Sequence, residues 1–208
     1  MSRMVTKFAY ESPRLDNTGK NLNEGLEFLM REVGLDPKNF DGRMEDVRPA
    51  VQKAKRARAQ EIGLDYSGFL DNQLTDDWNY FIFPNIQMGI HPEGVSFLYF
   101  RPHRDDPRKF IFDVMVMMHP QPDNAIKPPA YMGLPEGWDI SGSTRAETIQ
   151  IDPHVGGLGL VFDQDSSLFP VVQEAIESRG FRGPVLSEQE QRLRHFHTEL
   201  DRYIKGEK

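Results

Sequence analysis

The stretch from residue 79 to residue 118, NYFIFPNIQMGIHPEGVSFLYFRPHRDDPRKFIFDVMVMM, constrains the fold more than any other part of the chain. Aromatic and β-branched residues dominate it, and two turn-like clusters divide it, His91-Pro92-Glu93-Gly94 and Arg104-Asp105-Asp106-Pro107. This pattern predicts three antiparallel strands, Tyr80 to Ile90, Val95 to Arg101 and Lys109 to Met118. Pro84 has no N–H to give to a ladder, so the first strand is expected to be interrupted or bulged there, or to begin after it. In the third strand Ile111, Asp113, Met115 and Met117 share one face, and Phe110, Phe112, Val114, Val116 and Met118 the other. Both faces are mostly apolar. Such a sheet needs a core on each side, or a core on one and an apolar cavity on the other.

Helical patterns flank the strands. Leu22, Leu26, Leu29 and Val33 fall on one helical face that Gly34 ends. From Glu45 to Ile62 acids come first and bases follow, as the helix dipole favours. The run KAKRARA in this helix reads as a solvated face above Val47, Ala50, Val51, Ala54 and Ala57. A third helix is expected from Ser167 to Ser178, with Pro170 in its first turn. Ser187-Glu-Gln-Glu then opens a last helix to about Ile204, with Leu193, Phe196, Leu200 and Ile204 as its apolar stripe. Met4 to Tyr10 and Thr144 to Ile151 suit further short strands. His119 to Gly142, rich in Pro and Gly, reads as a surface loop or a lid over a pocket.

The 208 residues form one domain, 1–208, with a mainly helical segment over 1–63 and the sheet with the later helices over 64–208. A net charge of -7 argues against a nucleic-acid binder. The absence of cysteine excludes disulfides and thiolate metal sites on this chain, and fits a cytoplasmic location. No apolar run approaches the roughly 18 residues of a membrane span.

Few side chains form a recognisable catalytic pattern. Of six histidines, none makes an HExxH pair, and His195 and His197 point about 200° apart on one helix. His91 and His103 lie in or beside turns and are expected to be exposed. A GxSxG nucleophile elbow is missing, and the glycines at 156, 157 and 159 do not make GxGxxG. His154 is the histidine nearest in sequence to the acidic cluster Asp163-Gln164-Asp165. Asp165 itself reads two ways. It caps or precedes the third helix, or it turns inward at the mouth of the sheet as a metal ligand.

WNYFIFPNIQMGIHPEGVSFLYFRPH resembles the FPN strand and following hairpin of Rieske-type ring-hydroxylating oxygenase α-subunits. FDQDSSLFPVVQEAIESRGF, followed by LSEQEQRLRHFHTELDRYI, looks like the end of their catalytic domain. There an Asp, eight residues before a Gln, ligates the non-haem iron, and Asp165 and Gln173 stand at that spacing. Over about residues 60 to 205 the resemblance implies an α+β helix-grip fold of the Bet v 1 or START kind, an antiparallel sheet around a long C-terminal helix, here incomplete. It implies mononuclear Fe(II), O2 activation and an apolar or aromatic substrate. Phe97, Tyr99, Phe112, Val114, Met115 and Phe162 are the candidate pocket walls, though each reads more readily as plain core.

The chain departs from the family at two places. Without cysteine it cannot hold the [2Fe–2S] cluster, and residues 1–78 contain no histidine where the family has two iron ligands. Asp165 is therefore the one iron ligand carried over, with His154 a weaker second. The expected protein is a fragment, a split subunit or a homologue that has lost the chemistry. Its partner would be a second chain bearing the Rieske domain and the His ligands, or further copies of itself. The alternative is a non-catalytic protein binding a small molecule or a partner through a helix-grip cavity.

Overall fold

Alternating side chains and short turns build one five-stranded antiparallel sheet in the computed structural model. The structure describes residues 1–10, 22, 24–61, 64–119, 141–142, 145–152, 156–158 and 160–208. The strands are β1 (Ser2–Thr6), β2 (Asp77–Ile82), β3 (Ile86–His91), β4 (Gly94–Pro102) and β5 (Phe110–Met118), and they lie side by side in chain order. The helices are α1 (Glu24–Glu32), α2 (Met44–Glu61), α3 (Asp71–Thr75), α4 (Leu160–Ser166), α5 (Leu168–Glu177) and α6 (Gln191–Ile204).

The expected first strand is two strands. The chain reverses at Phe83-Pro84-Asn85, where the Phe83–Pro84 peptide is cis, and Ile82 pairs with Ile86 across the turn. Asn85 fastens this turn to β4. Its side chain donates to the Phe100 carbonyl at 2.8 Å, and Phe100 N–H donates back to the Asn85 carbonyl at 3.0 Å. Proline at the reversal gives up no ladder bond, so the interruption predicted there is a complete turn. The next reversal depends on Gly94, where a Cβ would collide with the Met117 carbonyl oxygen of β5. His119 N–H donates to the Glu93 carbonyl at 3.0 Å just beyond it.

Because paired residues share a face, the register assigns every strand side chain. One face carries Asp77, Asn79, Phe81, Gln87, Gly89, His91, Ser96, Leu98, Phe100, Phe112 and Val114. The helices cover this face. Phe169 of α5 meets Phe100, Phe110 and Phe112 edge-on, at ring distances of 6.4, 5.3 and 5.5 Å. Phe196 of α6 meets Phe81 at 5.5 Å, and Tyr203 stacks on Phe83 at 5.1 Å. The C-terminal helix thus rests against the β2–β3 hairpin, as a helix-grip fold requires. The opposite face carries Trp78, Tyr80, Met88, Phe97, Tyr99, Met115 and Met117.

The tightest core lies outside the sheet. Met30, Val47 and Val51 are buried between α1 and α2, with Phe8, Val33, Leu35 and Phe40 against them. Ala59, Tyr66 and Leu74 form a second buried group. Arg48 of α2 grips Asp76 with two bonds, at 2.9 and 2.8 Å, and Phe8 N–H donates to the same carboxylate at 3.3 Å. These bonds and the β1–β2 ladder cross the division expected near residue 63, so the N-terminal segment is part of the sheet's structure.

Other expectations are revised. The expected third helix is α5, within a residue of its bounds, but an unexpected helix, α4, precedes it, so Asp165 sits inside α4 and does not cap α5. Residues 145–150 are irregular and exposed; no described strand pairs with them. The capping box of the last helix opens a 3₁₀ turn, Glu188–Glu190, with Ser187 N–H donating to the Glu190 carboxylate at 2.6 Å. The loop or lid expected over His119 to Gly142 falls almost wholly outside the described residues.

Candidate functional site

A cavity of about 660 Å³ lies between the helix-covered face of the sheet and α2, with α4 at its edge. Its floor comes from the central strands: Asp77 and Asn79 of β2, Gln87, Gly89 and His91 of β3, Ser96 and Leu98 of β4. These positions are alternate residues of paired strands, which is why a polar set assembles on one face. The apolar part of the opposing walls comes from Phe8, Leu29, Val33, Val51, Ala59, Leu74 and Phe162, with Arg31, Glu32, Lys55 and Arg58 among them. The size suits a small organic molecule, and the division of polar floor from apolar wall is that of a ligand pocket.

Gly89 is the centre of the floor. A Cβ built there would lie 2.8 Å from Ser96 Oγ, 3.7 Å from Asn79 Oδ1 and 3.8 Å from His91 Nε2. Three polar atoms therefore converge on the space this glycine leaves. They are held from beneath and beside. Ser96 Oγ donates to the Gly89 carbonyl at 3.4 Å, and Gln87 Nε2 donates to Asn79 Oδ1 at 3.4 Å. Asn79 Nδ2 in turn donates to Asp77 Oδ2 at 2.5 Å.

A buried ion pair closes the end beside the β3–β4 turn. Lys55 of α2 donates to Glu93 at 2.8 Å, and only 14% and 8% of the two side chains is exposed. Tyr66 OH approaches the same carboxylate oxygen at 3.4 Å. Burial, reinforced by the Glu93 charge, pushes the Tyr66 phenol up, so it remains a proton donor at neutral pH. His91 stands 3.7 Å from Asp77. Burial pushes its imidazole down against the pull of Asp77 and Glu93, so the neutral form is favoured at pH 7. The exposure expected for His91 from its place beside a turn is overturned, because α2 covers it from a distant part of the sequence. His103 is exposed as expected, and its Nδ1 accepts from the Asp105 and Asp106 amides.

The other predicted site residues separate. Phe162 and Asp165, one helical turn apart on α4, both line the cavity. Asp163, beside them in sequence, is bound instead to the Gly157 and Leu158 amides, at 3.0 and 2.9 Å. Phe112 and Val114 share the cavity face, but Phe112 lies under Phe169 at the other end of the sheet. Phe97, Tyr99 and Met115 are turned away. On β4 and β5 the cavity face carries the even positions and theirs are odd, so they face the opposite side and are no walls of this cavity. His154 lies outside the described residues. The residues missed from sequence are Asp77, Asn79, Gln87 and His91, whose signal was alternation along β2 and β3, and Glu93 and Lys55, which carry no local signal.

An iron centre needs several imidazole or carboxylate ligands around one point. Among the described residues, no three His, Cys, Asp or Glu side chains are grouped to hold a metal ion. The donor set therefore does not fit mononuclear iron, and Asp165 stands as a lone carboxylate at the cavity edge. Among the described residues, no helix is long and apolar enough to cross a membrane.

Residues 34–206 match the family model described as ring hydroxylating alpha subunit, catalytic domain. Neither the curated proteins nor the solved structures searched gave a match. The family match spans α2, the sheet from β2 onward, which carries the cavity floor, and the C-terminal helices. By it, the chain belongs to the catalytic-domain family of Rieske-type ring-hydroxylating oxygenase α-subunits.

Proposed function

We propose that this chain is the C-terminal catalytic-domain portion of a ring-hydroxylating oxygenase, holding an apolar or aromatic substrate in the cavity above β2–β4. The observation that carries this is the meeting of Phe162 and Asp165 with the polar floor around one 660 Å³ space. An apolar ring packs against Phe162, Leu98 and Val51, and its displaced water supplies the main driving force. The chain's own residues position the substrate. Asp165 is the single position that corresponds to a family iron ligand, so further ligands and the Rieske cluster come from another chain, or from His154 in part.

By this reading the isolated chain binds substrate and does not turn it over. The test is an anaerobic Fe(II) titration of the purified chain beside Asp165→Ala. No tight binding in either protein is expected. Stoichiometric binding abolished by Asp165→Ala would overturn the split-site reading and make this chain an iron protein by itself. So would hydroxylation by the purified chain with a reductase alone.

The donor set around Asp165 also favours a second reading, a non-catalytic protein that uses the same cavity to bind a small molecule. Supplying a Rieske-domain chain and a reductase separates the two. Hydroxylation then supports the oxygenase portion, and unchanged ligand supports the binding protein.

A further inference from the structure

We infer that the cavity selects a neutral ligand, an apolar ring bearing a hydroxyl or carbonyl group, and rejects the corresponding carboxylate. This rests on the proposal that the cavity is the substrate chamber, and it adds which substituent the chamber accepts. The floor supplies the recognition. Ser96 Oγ, Asn79 Oδ1 and His91 Nε2 converge on the niche above Gly89, so one small polar group seated there meets a hydroxyl, an amide oxygen and an imidazole. A phenolic hydroxyl can donate to Asn79 Oδ1 and accept from Ser96, whose hydroxyl can turn from the long bond it makes to the Gly89 carbonyl. The ring then points up among Phe162, Val51, Val33 and Leu29.

Charge decides against an anion. Four carboxylates line the cavity, Glu32, Asp77, Glu93 and Asp165, against three cations, Arg31, Lys55 and Arg58. Each cation is already engaged. Lys55 is bound to Glu93, Arg31 to Glu27, and Arg58 to the Glu32 carbonyl. The ion bonded directly to the niche is an anion, Asp77, which accepts from Asn79. A ligand carboxylate in the niche would give up its water and stand beside Asp77, while the cations lining the cavity are held by Glu93, Glu27 and the Glu32 carbonyl. Discrimination of this kind comes from repulsion and unpaid desolvation more than from extra attraction.

The test compares three probes of one skeleton, naphthalene, 2-naphthol and 2-naphthoate, titrated calorimetrically into the full chain at pH 7.5. 2-Naphthol is expected to bind at least tenfold more tightly than 2-naphthoate and severalfold more tightly than naphthalene. Ser96→Ala and Gln87→Leu, each checked for an unchanged urea midpoint, should shrink the 2-naphthol preference over naphthalene severalfold. Should one variant fail to fold, the other and the probe series still decide. Equal or tighter binding of 2-naphthoate would overturn the inference, as would equal affinity for naphthalene and 2-naphthol, while the chamber itself stands. If none of the three binds, the inference fails together with the chamber.

Discussion

The Lys55–Glu93 pair offers the most direct check on the cavity, because it joins α2 to the β3–β4 turn at the closed end. At 2.8 Å and an effective dielectric constant of about 20, the two charges attract by about 6 kcal/mol. Desolvation of both ions takes back most of that, so the intact pair adds little net stability. Removing one partner is another matter. Lys55→Met keeps the bulk of the side chain but leaves Glu93, 8% exposed, with the Tyr66 hydroxyl at 3.4 Å as its nearest remaining donor from this cluster. Removing the ammonium from this buried carboxylate should cost about 3 kcal/mol. Glu93→Gln should cost less, about 1.5 kcal/mol, since a long lysine can redirect its ammonium toward water. The double variant should recover much of the loss, with a coupling energy of about 2 kcal/mol. Urea unfolding measures all four proteins. With a slope of about 2 kcal/mol per molar, the Lys55→Met midpoint falls by about 1.5 M. A loss below about 1 kcal/mol, or additive single variants, would refute the burial of this pair.

Three further outcomes follow from the same geometry. Since His91 is held below its ordinary value by burial, the unfolded chain takes up a proton near pH 6.5 while the native chain does not; stability should therefore fall as pH drops below about 6.5 and level off past the folded-state value. The difference between wild type and His91→Gln in urea melts from pH 7.5 to pH 5 isolates this slope, and parallel curves would contradict it. Gly89→Ala places a methyl group 2.8 Å from Ser96 Oγ, so it should cost about 1 kcal/mol of stability and weaken 2-naphthol binding at least tenfold by calorimetry. Phe169→Ala removes three edge-on ring contacts and should free α5, lowering stability by about 2 kcal/mol and raising amide exchange in Leu168–Glu177 above that in α2.

The strands of the meander were legible because alternation and turn residues are local. β4 and β5 lie within a residue of the expected bounds, as do both ends of α2. The first strand was read too long because apolar residues stand on both sides of Pro84, Tyr80 to Phe83 before it and Ile86, Met88 and Ile90 after it, and apolar content outweighed the Pro-Asn turn signal. α3, five residues long, is too short to show a period. The misreadings at the site are all non-local. KAKRARA reads as a solvated face, yet Lys55 is buried on Glu93, and Arg56 donates to the Tyr66 and Phe69 carbonyls and to Asp71. Within the same helix Ala57 is exposed and Ala59 is buried, a shift in the stripe that only the packing of Tyr66 and Leu74 reveals. His91 was placed in water for the same reason, because its turn gives no hint of the helix above it.

Binding and chemistry separate along the same line as local and distant information. The cavity's floor, its walls and its buried ion pair all come from this chain, the floor from three consecutive strands and the walls mainly from α1 to α4. Iron chemistry asks for a convergence of ligands that the described residues do not make, and Asp165 alone supplies one carboxylate at the rim. A pocket formed by one chain and a metal site completed by another would let substrate affinity be selected on this chain while turnover depends on assembly. Floor substitutions such as Ser96→Ala should then move affinity in the isolated chain and in a reconstituted enzyme equally. Asp165→Ala should leave affinity nearly unchanged and abolish turnover, since Asp165 is exposed at the edge and Ser96 lies in the floor. Equal loss of affinity in both variants would place Asp165 in substrate recognition and remove the ground for assigning it to the metal.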